Sequence, residues 1–334
     1  MAGDTPVGAA VYVHVIWFQD PSRYPIRLDL VFSLGTGLVV GACGLALLGF
    51  LVLQRLLGDP NWPELGLFKR MAVGAPTLVA VQAAVTLVFY GAQGALLSPS
   101  ARMGTTLPGL VSGALEILVA LSFITGLLDW VGAALLALLV LVSFLVSGPF
   151  DGIGNLYWLG IAALVFLIGR QGVEYGDLRP LLRRWLDRAW SARAVAMLRV
   201  LTGLAIVGSA FREKIWDPEL ALAFVRSHPQ FNFPHQYLGL GWFTDDRFVL
   251  AAGTAEAVIG VLLISGLLTR LVIVAMWVPF NLTVPFLPPV ELLGHLPIFA
   301  AMYVLLVHGA GVAAGEAGVE AAQLKGSPGQ AART

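Results

Sequence analysis

The chain has 334 residues, of which 58% are hydrophobic and 12% charged, and a mean hydropathy of +0.83. A soluble globular protein carries roughly twice that charged share, so the composition points to an integral membrane protein. The net charge of +0 leaves no footprint for nucleic acid, and the single cysteine, Cys43, excludes an internal disulfide, a CxxC redox pair and a cysteine-held cluster.

In chain order, Met1–Ala10 carries Asp4 and no basic residue, which does not suit a secretory leader. Residues 9–18 (AAVYVHVIWF) are too short to span a bilayer and suit its interface. Apolar runs then predict about nine spans, at roughly 29–53, 71–96, 109–128, 131–148, 153–169, 194–211, 248–267, 271–287 and 293–310, since about 20 residues of helix cross the hydrocarbon. The first span carries Gly37, Gly41 and Gly44, spaced for close helix packing against a partner or a second subunit. The stretch 170–193 holds Arg170, Arg179, Arg183, Arg184, Arg188 and Arg193. Placing that basic loop in the cytoplasm puts Arg55, Lys69, Arg70 and Arg270 on the same side, the N-terminus outside and the C-terminus inside. The loop 212–247 then falls outside as an aromatic, folded cap, and 313–334 reads as a disordered tail.

A shift of 140 residues lays 113–156 on 253–296 without a gap. Gly113 meets Gly253, Glu116 meets Glu256, Gly126-Leu127-Leu128 meets Gly266-Leu267-Leu268, Pro149 meets Pro289, Asp151 meets Glu291, and Gly154-Asn155-Leu156 meets Gly294-His295-Leu296. Upstream, Arg70-x3-Gly74 parallels Arg199-x3-Gly203. The expected fold is therefore all-α, with two parallel four-helix repeats and one extra helix. The corresponding divisions are 1–70, with the extra span; 71–170, the first repeat; 171–193, the basic loop; 194–312, the second repeat; and 313–334, the tail.

Glu116 and Glu256 fall near mid-span, where a carboxylate is costly unless paired, protonated or in a wet cavity. They read as proton-handling or ligand-binding acids, or as hydrogen bonds between helices. His295, Lys214 and Arg212 sit at the same, outer end, so Glu256, His295 and Lys214 are expected to line one pocket that relays a proton or holds a quinone carbonyl. The alternative for His295 is a helix cap at the headgroups. Pro279, Asn281, Thr283, Pro285, Pro288 and Pro289 interrupt the eighth span and predict a cavity near Asn281, or a simple proline kink. The five histidines offer no facing haem pair, and there is no zinc spacing, Walker motif or GxGxxG. No metal site is expected.

Residues 194–310 resemble the DoxX family of small bacterial membrane proteins, through Arg199-x3-Gly203, Gly208, Glu213-Lys214 and the string Glu256-x3-Gly260-x5-Gly266-Leu267-Leu268-Thr269-Arg270. The first repeat is similar but departs from the pattern at Ala120 and Asp129-Trp130. The resemblance implies a tandem version of a four-helix unit in a bacterial cytoplasmic membrane, with Arg199, Lys214, Glu256, Gly260, Gly266 and Arg270 carried over. Because DoxX, DoxD and MauE-like proteins are associated with redox systems, it also implies a membrane subunit of an electron-transfer assembly, with protein partners and surrounding lipid. Such a subunit would contact quinone or lipid without a covalently bound cofactor or redox centre of its own, and would be an accessory protein rather than a stand-alone enzyme. A proton-coupled permease using Glu116 and Glu256, and a purely structural subunit, are the alternatives.

Overall fold

The computed structural model describes residues 23–58, 61–63, 65–98, 101–169, 188–283 and 289–311. The interfacial segment expected at 9–18, most of the basic loop, Pro285 and Pro288 and the tail lie outside the described residues. Within them the chain is helical, with no strand beyond one isolated bridge between Ala95 and Arg102.

After a 3-10 turn at Leu28–Phe32, the long helices are α1 (Leu34–Leu57), α3 (Ala75–Ala92), α4 (Leu107–Thr125), α5 (Asp129–Ser147), α7 (Leu156–Ile168), α8 (Arg188–Ala210), α11 (Asp245–Ser265), α12 (Thr269–Thr283) and α13 (Pro289–His308). Short helices α2 (Gly66–Ala72), α6 (Pro149–Ile153), α9 (Pro218–Ser227) and α10 (Phe233–Gln236) join them. Among the described residues, six helices are long and apolar enough to cross a membrane: α1, α3, α4, α5, Ala192–Ile215 and α11. Three shorter apolar helices lie at Leu156–Ile168, Thr269–Asn281 and Leu292–His308. The surface of these helices is apolar, with Leu38, Leu45, Leu118, Leu121, Leu141 and Leu145 all exposed. Water would oppose such a surface and hydrocarbon would not, so this is a multi-pass membrane protein.

Local sequence sets the breaks. Ser33 caps α1 by accepting from Thr36 N, and Gly58 ends it at φ 73°. The second expected span divides at Val73–Gly74, where Pro76 suits the first turn of α3 because that turn needs no donor there. After α3 the chain does not leave the bundle. Residues 93–98 and 101–106 fold back, with Leu96 and Leu97 fully buried. Two other turns share one shape 140 residues apart. Gly126 (φ 76°) and Leu128 (φ 50°) are matched by Gly266 (φ 77°) and Leu268 (φ 41°), and Thr125 Oγ1 and Ser265 Oγ each accept from the backbone N two residues on, at 3.2 Å.

Helices α3, α4, α5 and α7 pack in sequence, as do α8, α11, α12 and α13; α7 packs on α8 and α13 on α3, which closes the ring, and α1 leans on α11 from outside. Glycine permits the tightest approaches. A Cβ on Gly91 would stand 2.7 Å from the Gly113 carbonyl, and one on Gly203 2.7 Å from the Gly260 carbonyl. At the end opposite residues 216–244, the last carbonyls of two helices lack intrahelical donors. Arg199 supplies α11 by donating to Leu263 O and Ile264 O, and reaches Ala310 O at 2.9 Å. Arg270 supplies α13 by donating to Leu306 O and Val307 O, and also reaches Asn61 O and Pro63 O. Both arginines are buried. Arg270, which the charge rule would place as an interfacial anchor, closes helix ends instead.

Candidate polar site at the cap end

The sixth expected span does not stop at 211. Its helix continues through a π-helical turn, Phe211–Ile215, closed by Trp216 N donating to Phe211 O at 2.8 Å. Such a turn inserts one residue and re-aims the side chains after it. Here it buries Arg212 and Glu213 and directs Lys214 toward α11.

Two ion networks result. The Arg212 guanidinium donates from Nε to Asp151 Oδ1 at 2.8 Å and from Nη1 to Asp217 Oδ2 at 2.9 Å. Asp151 belongs to α6, and Asp217 caps α9 by accepting from Leu220 N. One arginine thus ties the first half of the chain to the second and to the cap. The Lys214 ammonium lies 2.9 Å from Glu256 Oε2 and 3.6 Å from Glu213 Oε2. Gly253, one turn before Glu256, makes room for it, because a Cβ there would stand 3.0 Å from Lys214 Cβ.

Exposure is graded along this second network. The Glu213 side chain is 1% exposed, Lys214 11% and Glu256 39%, so Glu256 is the open end and Glu213 the closed one. Phe150 and Phe211 pack their rings on Trp216 beside the networks, and Arg27 N, on the strand of chain before α1, donates to Trp216 O. Burial pushes the Asp151 and Asp217 carboxyls above the ordinary aspartate value, and Arg212 only partly pulls them back.

The structure therefore brings Lys214 and Glu256 together and adds Arg212, with Asp151, Asp217 and Glu213 as partners that the sequence did not mark for this site. The signals for them were present: Asp217 precedes Pro218 as a helix cap should, and Asp151 follows Pro149 at a helix start. His295 is buried with its ring against Phe280 and Phe299, at centroid distances of 5.6 and 6.1 Å. Asn281 is exposed and donates back to Trp277 O of its own helix at 2.7 Å.

Glu116 is fully buried away from these ion pairs. Its Oε1 accepts from Leu97 N at 2.6 Å, and Trp158 Nε1 donates to Leu97 O at 3.1 Å. At the position matching Glu256, the in-folded loop thus supplies a backbone donor where the second half supplies a lysine. Gly37, Gly41 and Gly44 are exposed on α1, and among the described residues a Cβ on any of them would meet nothing within 4 Å. No protein-family model, curated protein or solved structure matches the chain.

Proposed function

We propose that the chain is a nine-span membrane protein of two DoxX-like four-helix repeats plus α1, and that it takes up and releases protons at the Lys214–Glu256 site. The repeat reading is supported by the two turns of equal shape 140 residues apart and by the ring of helix contacts, in which each pairing in one half has its counterpart in the other. One observation carries the proton reading. Among the described ion pairs, the two cations Arg212 and Lys214 face the four carboxyls of Asp151, Asp217, Glu213 and Glu256. Carboxylates in excess in a mostly buried site are costly, and a bound proton relieves the cost. Glu256, partly open, is the group through which that proton enters, and Lys214 passes it between Glu256 and the enclosed Glu213.

The aromatic cluster of Phe150, Phe211 and Trp216, on the same turns as Asp151, Arg212 and Lys214, favours a quinone as the partner of this chemistry, which suits a subunit of an electron-transfer assembly. Purification in mild detergent tests that setting: quinone should co-purify with the chain and be lost from Glu256→Gln. If the chain comes out quinone-free but Glu256 still conducts protons across vesicles, the proton reading stands in a permease and the quinone reading fails. If Glu256→Gln changes neither, the cluster is a structural tie between helices.

A further inference from the structure

We propose that the cap segment Phe233–Trp242 is seated in the lipid headgroup layer of the leaflet at its end of the molecule, anchoring the cap over the polar site. The segment displays Leu238 at 62% exposure, Trp242 at 61%, Tyr237 at 61% and Phe233 at 42%, within ten consecutive positions. These side chains face outward, together with His235 and Gln236, while Asn232, just before the segment, is buried. Asn232 accepts from His235 N and donates both to Phe243 O at 3.2 Å and to Asp245 Oδ1 at 2.9 Å, which fixes the segment to the mouth of α11. The apolar display is thus built on a pinned turn.

Position then selects the occupant. Trp242 lies three residues before α11, a membrane-crossing helix, and three residues of chain reach at most about 10 Å. The segment is therefore continuous with the lipid-facing surface of that helix, which begins with exposed Leu250. Trp and Tyr favour this depth because one edge of each ring is apolar and the other is a hydrogen-bonding group. Arg247, one turn into α11, folds its guanidinium back onto Trp242 O at 2.6 Å, placing a cation at the level of the lipid phosphates. Elsewhere on the cap, α9 carries Arg226 and Glu219 exposed as a loose ion pair. An exposed aromatic segment next to the start of a membrane-crossing helix matches an interfacial segment buried about 5–10 Å into the headgroup boundary.

The test uses the full chain in phosphatidylcholine vesicles, in a Cys43→Ala background, with a nitroxide attached through Leu238→Cys or Trp242→Cys. Leu118→Cys on α4 serves as the bilayer reference and Arg226→Cys as the aqueous one. The proposal expects labels at 238 and 242 to collide more often with oxygen than with a water-soluble nickel chelate, as at 118, with the reverse at 226. Labels at 238 and 242 that behave like 226 would show a cap standing in water. Labels shielded from both reagents would show a face covered by protein, such as a second copy of the chain. Either result overturns the proposal.

Discussion

Lys214 lies 2.9 Å from Glu256 and 3.6 Å from Glu213, its own neighbour in sequence, so one ammonium serves an open carboxyl and an enclosed one. The two carboxyls should respond differently to loss of the lysine. Lys214→Met takes the ammonium away from Glu213, whose side chain is 1% exposed. Breaking a buried pair from one side costs about 3–5 kcal/mol. Glu256→Gln keeps an acceptor for Lys214 at a position 39% exposed and should cost under about 1 kcal/mol. Unfolding in mixed micelles measures both, and a Lys214→Met chain as stable as the parent would remove the ion network from the account.

Arg212 reaches Asp151 across 61 residues and Asp217 across five. Arg212→Leu should therefore destabilise by about 3–5 kcal/mol, and a cycle with Asp151→Asn should show coupling of about 1–3 kcal/mol. Additive single effects would mean that the halves are not tied at this point.

The pH dependence of Asp151 runs against that of an ordinary surface salt bridge. Burial raises its folded-state pKa above the ordinary 3.8, so the native chain holds the proton more tightly than the unfolded one. Its contribution to stability is then fully present below 3.8 and declines as pH rises through the raised value. The melting temperature of the parent minus that of Asp151→Asn should therefore grow as pH falls from about 7 toward about 4, with Asp217, shifted the same way, left in place. A difference that shrinks on acidification would contradict the burial argument.

Glycines with neighbours and glycines without them should separate cleanly. Gly260→Val drives a side chain into Val207 and the Gly203 carbonyl, both within 2.7 Å of the new Cβ. Such overpacking costs about 1–3 kcal/mol or more. Gly41→Val on α1 meets nothing within 4 Å and should leave the stability of the isolated chain within about 0.5 kcal/mol. Equal effects from the two would show that α1 is held differently from its placement here.

The membrane class and the helix runs were legible because hydrocarbon demands long apolar helices, and α1, α4, α5 and α11 begin and end within a few residues of the expected spans. The meeting of Lys214 with Glu256 was legible in part, as two members of the pocket expected from Glu256, His295 and Lys214 at the outer end. Asp151 was hidden because its partner lies 61 residues on and no local period links them. The π-helical turn was hidden because 212–216 carries charges that read as a loop, and only tertiary ion pairs make helix the cheaper state there. The in-folded loop after α3 was likewise unreadable: its apolar Ala95-Leu96-Leu97 simply prolonged the hydrophobic run. Arg270 looked like an interfacial anchor because a charge count does not distinguish a solvated guanidinium from one capping carbonyls.

The central claim is that the Glu213–Lys214–Glu256 network exchanges a proton, and infrared titration of the reconstituted chain reads this most directly. In a Glu116→Gln background titrated from about pH 4 to about pH 10, the account predicts a carboxyl C=O band that changes with pH, shifts in deuterium oxide, and is lost when Glu256→Gln or Glu213→Gln is added. A spectrum with no carboxyl change across that range, or one unchanged in both network variants, would contradict it.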